Sequence, residues 1–220
     1  KMSITEFLDW HRNTELSLLA VSLQELKFRY QRGMREDDFD WINDQYVISR
    51  KRILHQVEPA LTTFFLTLEE KQIRHMEQKF IKRDDWLAKQ GRMTDSEVYG
   101  ETLKWFCDKT ENWLGSLNSD QISKITSWIR IDRNWISLKL KNRNDFQKYF
   151  GNLLRSKDDL SEGLHNLLHQ TQDYSDESFK LHKKNKKKEW EAILLKVDSI
   201  TLPYQRKKAA NELQSYIDDF

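Results

Sequence analysis

A chain of 220 residues, 38% hydrophobic and 33% charged, can bury one sizeable core, and its 8 Trp and 11 Phe supply too many large side chains for it to stay disordered. Lys and Arg (37) exceed Asp and Glu (35) by only two, so the chain as a whole is not a polyanion binder and nucleic acid is not the expected partner. Six Gly and two Pro leave little for the tight turns of a sheet protein, and no stretch approaches the roughly eighteen uninterrupted apolar residues of a membrane span.

Ile4, Phe7 and Leu8, then Leu16, Leu19, Leu23 and Leu26, recur at helical spacing and predict a long first helix from about Ser3 to Arg32, ended by Gly33. A second runs from Arg35 to about Phe65, with a kink expected near Glu58 where Pro59 interrupts the backbone ladder. Thr67 with Glu70 reads as a capping box that opens a third helix, to about Gln90. Gly91 stops it, and Thr94 with Glu97 opens a fourth, ending at Gly115. That helix carries the single Cys107, which excludes an intramolecular disulfide and sits in Lys104-Trp105-Phe106-Cys107 as part of a buried face.

Asn118 with Gln121 opens a fifth helix, expected to continue or bend near Asn142. A shorter one is expected from Asp158 to Gln170, another from a cap between Asp173 and Glu177 to about Ser199, and a last one opened by Thr201 and Pro203 and ending near Asp218. The fold class is therefore all-α, an irregular antiparallel helical bundle of about seven to eight helices with the long ones at the N-terminus. Residues 1–220 read as a single helical domain, with Gly91 or the Ser156 region as the places where it would divide.

Few residues suggest chemistry. His165 and His169 lie four apart, so both imidazoles share a helix face as a metal site requires, but no third ligand stands nearby in sequence and the pair predicts no metal. Lys180, Lys183, Lys184, Lys186, Lys187 and Lys188 form the densest charge run, able to meet phosphate, anionic lipid or an acidic protein, or simply to be solvated. Trp10, His11 and Arg12, with Glu15 one turn on, gather interaction-prone side chains on the first helix, but no Ser or Cys nucleophile stands at a recognisable spacing. Acidic groups such as Glu36-Asp37-Asp38 fall in first turns, where they complement the helix dipole. There is no glycine-rich phosphate loop, zinc-finger spacing or di-iron Glu-x-x-His pair, so neither an enzyme nor a cofactor is predicted.

The segment Phe7-Leu8-Asp9-Trp10-His11-Arg12-Asn13-Thr14-Glu15-Leu16 is followed by three similar helix openings, Leu66-Thr67-Leu68-Glu69-Glu70, Leu117-Asn118-Ser119-Asp120-Gln121 and Ile200-Thr201-Leu202-Pro203-Tyr204-Gln205. In that order these resemble an uncharacterised family of all-helical bacterial lipoproteins, with a Trp-His-Arg element and repeated Leu-Thr-Pro-Glu-Gln-like helix openings. The resemblance implies a periplasm-facing protein tethered to the membrane by a lipid anchor that this chain does not contain. The same openings are also similar to those of small periplasmic chaperones that hold unfolded clients on a helical surface. Together these imply a non-catalytic cell-envelope protein that binds other proteins, as scaffold or chaperone, through Trp10, His11, Arg12 and Glu15. The alternative is an anion-binding module built on the run from Lys180 to Lys188.

Overall fold

The computed structural model describes residues 4–169 and 175–220, which are helical with short connections and contain no strand. The all-α expectation holds, and the helix boundaries follow mostly from local chemistry. Helix α1 (Ile4–Trp10) passes through a π-helical turn, His11–Glu15, into α2 (Leu16–Gln31). Gly33, at φ +92°, turns the chain where a side chain would be strained. Helix α3 (Glu36–Leu66) carries Pro59 in its interior. Then come α4 (Glu70–Arg92), α5 (Asp95–Leu114), α6 (Ser119–Trp128), α7 (Arg133–Arg155), α8 (Leu160–His169), α9 (Glu177–Ser199) and α10 (Pro203–Asp219).

Two expected boxes are present as read. The Thr94 hydroxyl accepts from the Glu97 amide at 3.3 Å while Glu97 accepts from the Thr94 amide at 2.7 Å, and Asn118 with Gln121 does the same at 2.9 and 3.1 Å. The box read at Thr67 and Glu70 is displaced. Thr67 instead donates to the Phe64 carbonyl at 2.7 Å, and Gln72 accepts from the Glu69 amide at 2.9 Å. In the same way Gln205 accepts from the Leu202 amide at 3.1 Å, so the third residue of α4, α6 and α10 is in each case a glutamine serving the helix start.

The fifth helix of the sequence reading is two helices. Asp132 accepts from the Trp135 amide at 2.9 Å and starts α7, which then runs through Asn142 without a break. Ile129, 1% exposed, occupies the connection and shows why it forms: the chain leaves the helix to drive that side chain into the core. Asp176 caps α9 by accepting from the Phe179 amide at 2.7 Å, and the expected cap residue Asp173 lies outside the described residues.

The chain divides into two compact units, interleaved in sequence. The first holds residues 4–7, Lys51–Met93 and Asp132–Asn185, and the second holds Leu8–Arg50, Thr94–Ile131 and Lys186–Phe220. One boundary thus lies two residues beyond Gly91, and Ser156 lies inside the first unit.

In the first unit α4 packs on α7 and α7 on α8 around Ile73, Phe150, Leu153, Leu154 and Leu160. Gly163 permits the approach of α8, because a Cβ there would overlap Leu153 Cδ1. Arg155 of α7 spans Glu70 and Glu77 of α4 with four donated bonds at 2.8 to 3.0 Å. Lys157 donates to the Phe65 and Leu68 carbonyls, both at 3.0 Å, so it serves the open C-terminus of α3.

In the second unit α10 packs on α2 and on α5, over a core that includes Phe106, Leu114, Ile125, Ile129, Ile193 and Val197. Gln121 and Gln205, 2% and 0% exposed, pair their side-chain amides reciprocally at 2.8 and 3.2 Å. Their remaining donor hydrogens go to the Ile200 and Ser116 carbonyls at 2.9 and 3.0 Å. The repeated glutamine of the helix openings is therefore a buried link between two helix starts, and every polar atom of it is occupied.

Candidate functional site: an apolar groove and a two-histidine carboxylate cluster

Helix α5 places Trp105, Lys109 and Trp113 on one stripe, since residues four apart lie one above the other. Together with Trp190 and Leu194 of α9, Leu213 of α10 and Leu26 of α2, all in the second unit, they surround a groove of about 530 Å³. Trp105 meets Trp190 edge-on at 6.1 Å, Trp190 stacks on Phe106 at 5.4 Å, and Trp113 leans on Tyr216 at 6.1 Å. Even so, Trp105 stays 54% exposed, Trp113 42% and Leu194 44%. Apolar surface gathered in a concavity and left in water is the usual mark of a binding site, whereas scattered exposed apolar residues are ordinary.

The polar atoms of the wall are few. The Tyr30 hydroxyl is buried with no hydrogen-bond partner among the described residues, and Thr201 beside it gives its own hydrogen to the Val197 carbonyl at 2.9 Å. Burial raises the Tyr30 pKa above its ordinary value, so the phenol keeps its proton. Asp198 is saturated at 2.7 Å by Arg206, which also lies over the Tyr30 ring, and at 3.1 Å by the Met34 amide. At the rim Lys109 is exposed and enters no ion pair among the described residues, while Lys104 pairs with Asp108 at 3.3 Å. Cys107 is half-buried behind this stripe and its thiol pKa is raised, first by burial and then by Glu111 and Asp108, so it is a poor nucleophile. The buried face expected for Lys104-Trp105-Phe106-Cys107 holds for Phe106, whereas Trp105 is more than half exposed.

In the first unit Glu58 of α3 lies between the two histidines of α8. His165 Nδ1 donates to Glu58 Oε1 at 2.9 Å and His169 Nε2 donates to Oε2 at 2.7 Å, with the two rings 4.7 Å apart. Burial pushes the Glu58 pKa up, and the hydrogen bonds from His165 and then His169 more than reverse it, leaving the carboxyl below its ordinary range. Glu58 stands 107 residues from His165, beyond what sequence spacing can connect. No other group of three His, Cys, Asp or Glu residues suited to a metal ion occurs among the described residues.

The Trp10–Glu15 segment, in the second unit, joins the end of α1 to the π-helical turn His11–Glu15. The Leu16 amide reaches the His11 carbonyl five residues back, and that extra residue per turn carries Glu15 inward to 1% exposure, where Ser49 donates to it at 2.5 Å. Trp10 and His11 are half-buried, and Arg12 is exposed without an ion pair among the described residues. Glu15 thus faces the interior while Arg12 faces water, so the four residues do not converge on one surface.

The lysine run is partly self-neutralised. Lys180 pairs with Glu177 at 2.8 Å, Lys186 with Glu189 at 2.6 Å, and Lys187 with Asn43 at 3.1 Å and Glu191 at 3.6 Å. Lys183, Lys184 and Lys188 remain exposed, and the run crosses from the first unit to the second after Asn185. His182, within it, pairs with Asp132 at 2.7 Å and stacks on Trp135 at 5.8 Å, a packing role inside the first unit. The early acids also settle structurally. Asp38, 0% exposed, accepts from Arg29 at 2.8 Å, Arg32 at 2.6 Å and the Arg35 amide at 2.8 Å.

A family model described as "Family of unknown function (DUF6279)" matches residues 1–180. Comparison with curated proteins and with solved structures returned no match.

Proposed function

The chain belongs to this family of unknown function, and from that premise we propose that it is a non-catalytic binding protein whose tryptophan-lined groove takes apolar side chains of another polypeptide. The observation that carries the reading is the combination of concavity with half-exposed Trp105, Trp113 and Leu194 in a mostly apolar wall, in which Asp198, Thr110 and Thr201 already have hydrogen-bond partners. A site of this kind binds by removing apolar area from water and tolerates varied clients, because little in it demands a particular hydrogen bond. Lys109 at the rim adds an early attraction for acidic segments without fixing a sequence. The proposed setting is the cell envelope, which rests on the lipoprotein resemblance of the Trp10-His11-Arg12 segment and helix openings, and the proposed mode is holding or scaffolding.

Aggregation suppression with a chemically unfolded client tests this directly. The intact chain is expected to lower light scattering at equimolar ratio, and Leu194→Lys, which sets a charge in the groove mouth at an already exposed position, is expected to weaken client affinity about tenfold. Equal suppression by the variant would remove the groove from the reading, and no suppression by the parent chain would remove the chaperone form of it.

A second reading, anion binding through α9, rests on the exposure of Lys183, Lys184 and Lys188. Replacing Lys183, Lys184 and Lys188 by Gln is expected to abolish any salt-sensitive binding to anionic vesicles, and unchanged binding would end that alternative.

A further inference from the structure

We propose that Glu58, His165 and His169 form a binding site for a zinc-class divalent cation. In sequence, an i, i+4 histidine pair on one helix face is half of a metal site and lacks a third donor. Folding supplies that donor from α3, and the two imidazoles take opposite oxygens of the one carboxylate. One ligand atom from each of the three residues lies within 4.8 Å of the others. A tetrahedral ion bound at about 2.0–2.2 Å holds its ligand atoms about 3.4 Å apart, so the contacts at 2.9 and 2.7 Å open by roughly half an ångström and separations of up to 4.8 Å close by as much as about 1.4 Å to admit it.

The chemistry of the donors selects the ion. Two imidazoles and one carboxylate suit zinc and disfavour magnesium and calcium, which take oxygen shells. Three protein ligands leave a fourth tetrahedral position for water. The atoms that would bind, His165 Nδ1 and His169 Nε2, are those now donating to Glu58, so on binding each proton passes to the far nitrogen of its ring or to solvent. The site is open to solution on one side, with the His165 side chain 54% exposed, and anchored on the other, with Glu58 and His169 at 19% and 21%.

Two features hold the ligands in place. Gly163 seats α8 against Leu153 two residues before His165, and Leu160 and Leu164, 0% and 1% exposed, bury the opposite face of the same helix. Preorganisation of this kind lowers the ordering cost of binding.

The test titrates Zn²⁺ alone into the EDTA-treated 220-residue chain against a chromogenic chelator, and then Co²⁺, whose visible absorption reports tetrahedral nitrogen and oxygen ligation. One ion per chain is expected, displaced by neither Mg²⁺ nor Ca²⁺. His165→Ala, His169→Ala and Glu58→Gln should each weaken it by about a hundredfold or more, since loss of a ligand exceeds the 10- to 100-fold cost of losing an outer-shell partner. His75→Ala, on exposed α4 surface, should leave it unchanged. Far-UV circular dichroism confirms that each variant is folded, and the singly exposed His165 gives a substitution that does not depend on the core. Absence of stoichiometric binding, or equal binding by folded His165→Ala and parent chains, would overturn the assignment.

Discussion

Asp38 shows how a single residue is committed by its surroundings. Buried at 0% exposure, it is offset by two guanidinium groups and a backbone amide, and although burial pushes its pKa up, the bonds from Arg29, Arg35 and Arg32 bring it below the ordinary aspartate value. Stability from a carboxyl depressed in this way is present above about pH 5 and is lost as pH falls through about 3.9 toward the lower folded value. Asp38→Asn is therefore expected to cost about 2–3 kcal/mol at neutral pH and to flatten the acid limb of the stability profile, read by urea unfolding from pH 7 down to 3. An unchanged acid limb would mean that other carboxylates dominate it. The sequence already placed Asp38 in a first turn, and its local role was legible there. That Arg29 and Arg32 would both turn onto it was not, because two arginines nine and six residues upstream have many alternative partners.

At the scale of elements, capping chemistry was the most readable part of the chain, and it also contained the main error. The boxes at Thr94 and Asn118 depend on atoms three residues apart, so sequence suffices to place them. The box read at Thr67 moved to Glu69 and Gln72 because α3 closes its last turn through Thr67 before α4 opens. Gln121 and Gln205 carry both a local and a distant duty, which a double-mutant cycle would separate. Gln205→Ala leaves buried partners unpaired and should cost about 2–3 kcal/mol, while the coupling between Gln121→Ala and Gln205→Ala should be about 1–2 kcal/mol. Chemical denaturation measures both, and a coupling near zero would make them two independent caps. The π-helical turn at His11–Glu15 had no sequence signal beyond the unusual Trp-His-Arg cluster itself. It coincides with the burial of Glu15 against Ser49.

Across the whole molecule, a balance of only two charges and a lysine run of which Lys180, Lys186 and Lys187 are already paired favour apolar burial as the main driving force for binding. Client holding by the groove is accordingly expected to persist from about 50 mM to 500 mM salt, with a negative heat-capacity change in calorimetry, whereas a response that vanishes at high salt would favour the exposed lysines of α9. Membership of a family of unknown function sets no constraint on either outcome. What the sequence determined by itself was helix: its periodicity, its caps and the absence of strand chemistry all act within about four residues, the range over which a helix closes its bonds. Tertiary structure alone decided the break at Asp132, the half-exposed tryptophans of the groove, the Gln121–Gln205 link and the meeting of Glu58 with His165 and His169. Each of these joins residues separated by many turns, and which apolar faces meet is settled by mutual burial, a quantity that local spacing does not encode.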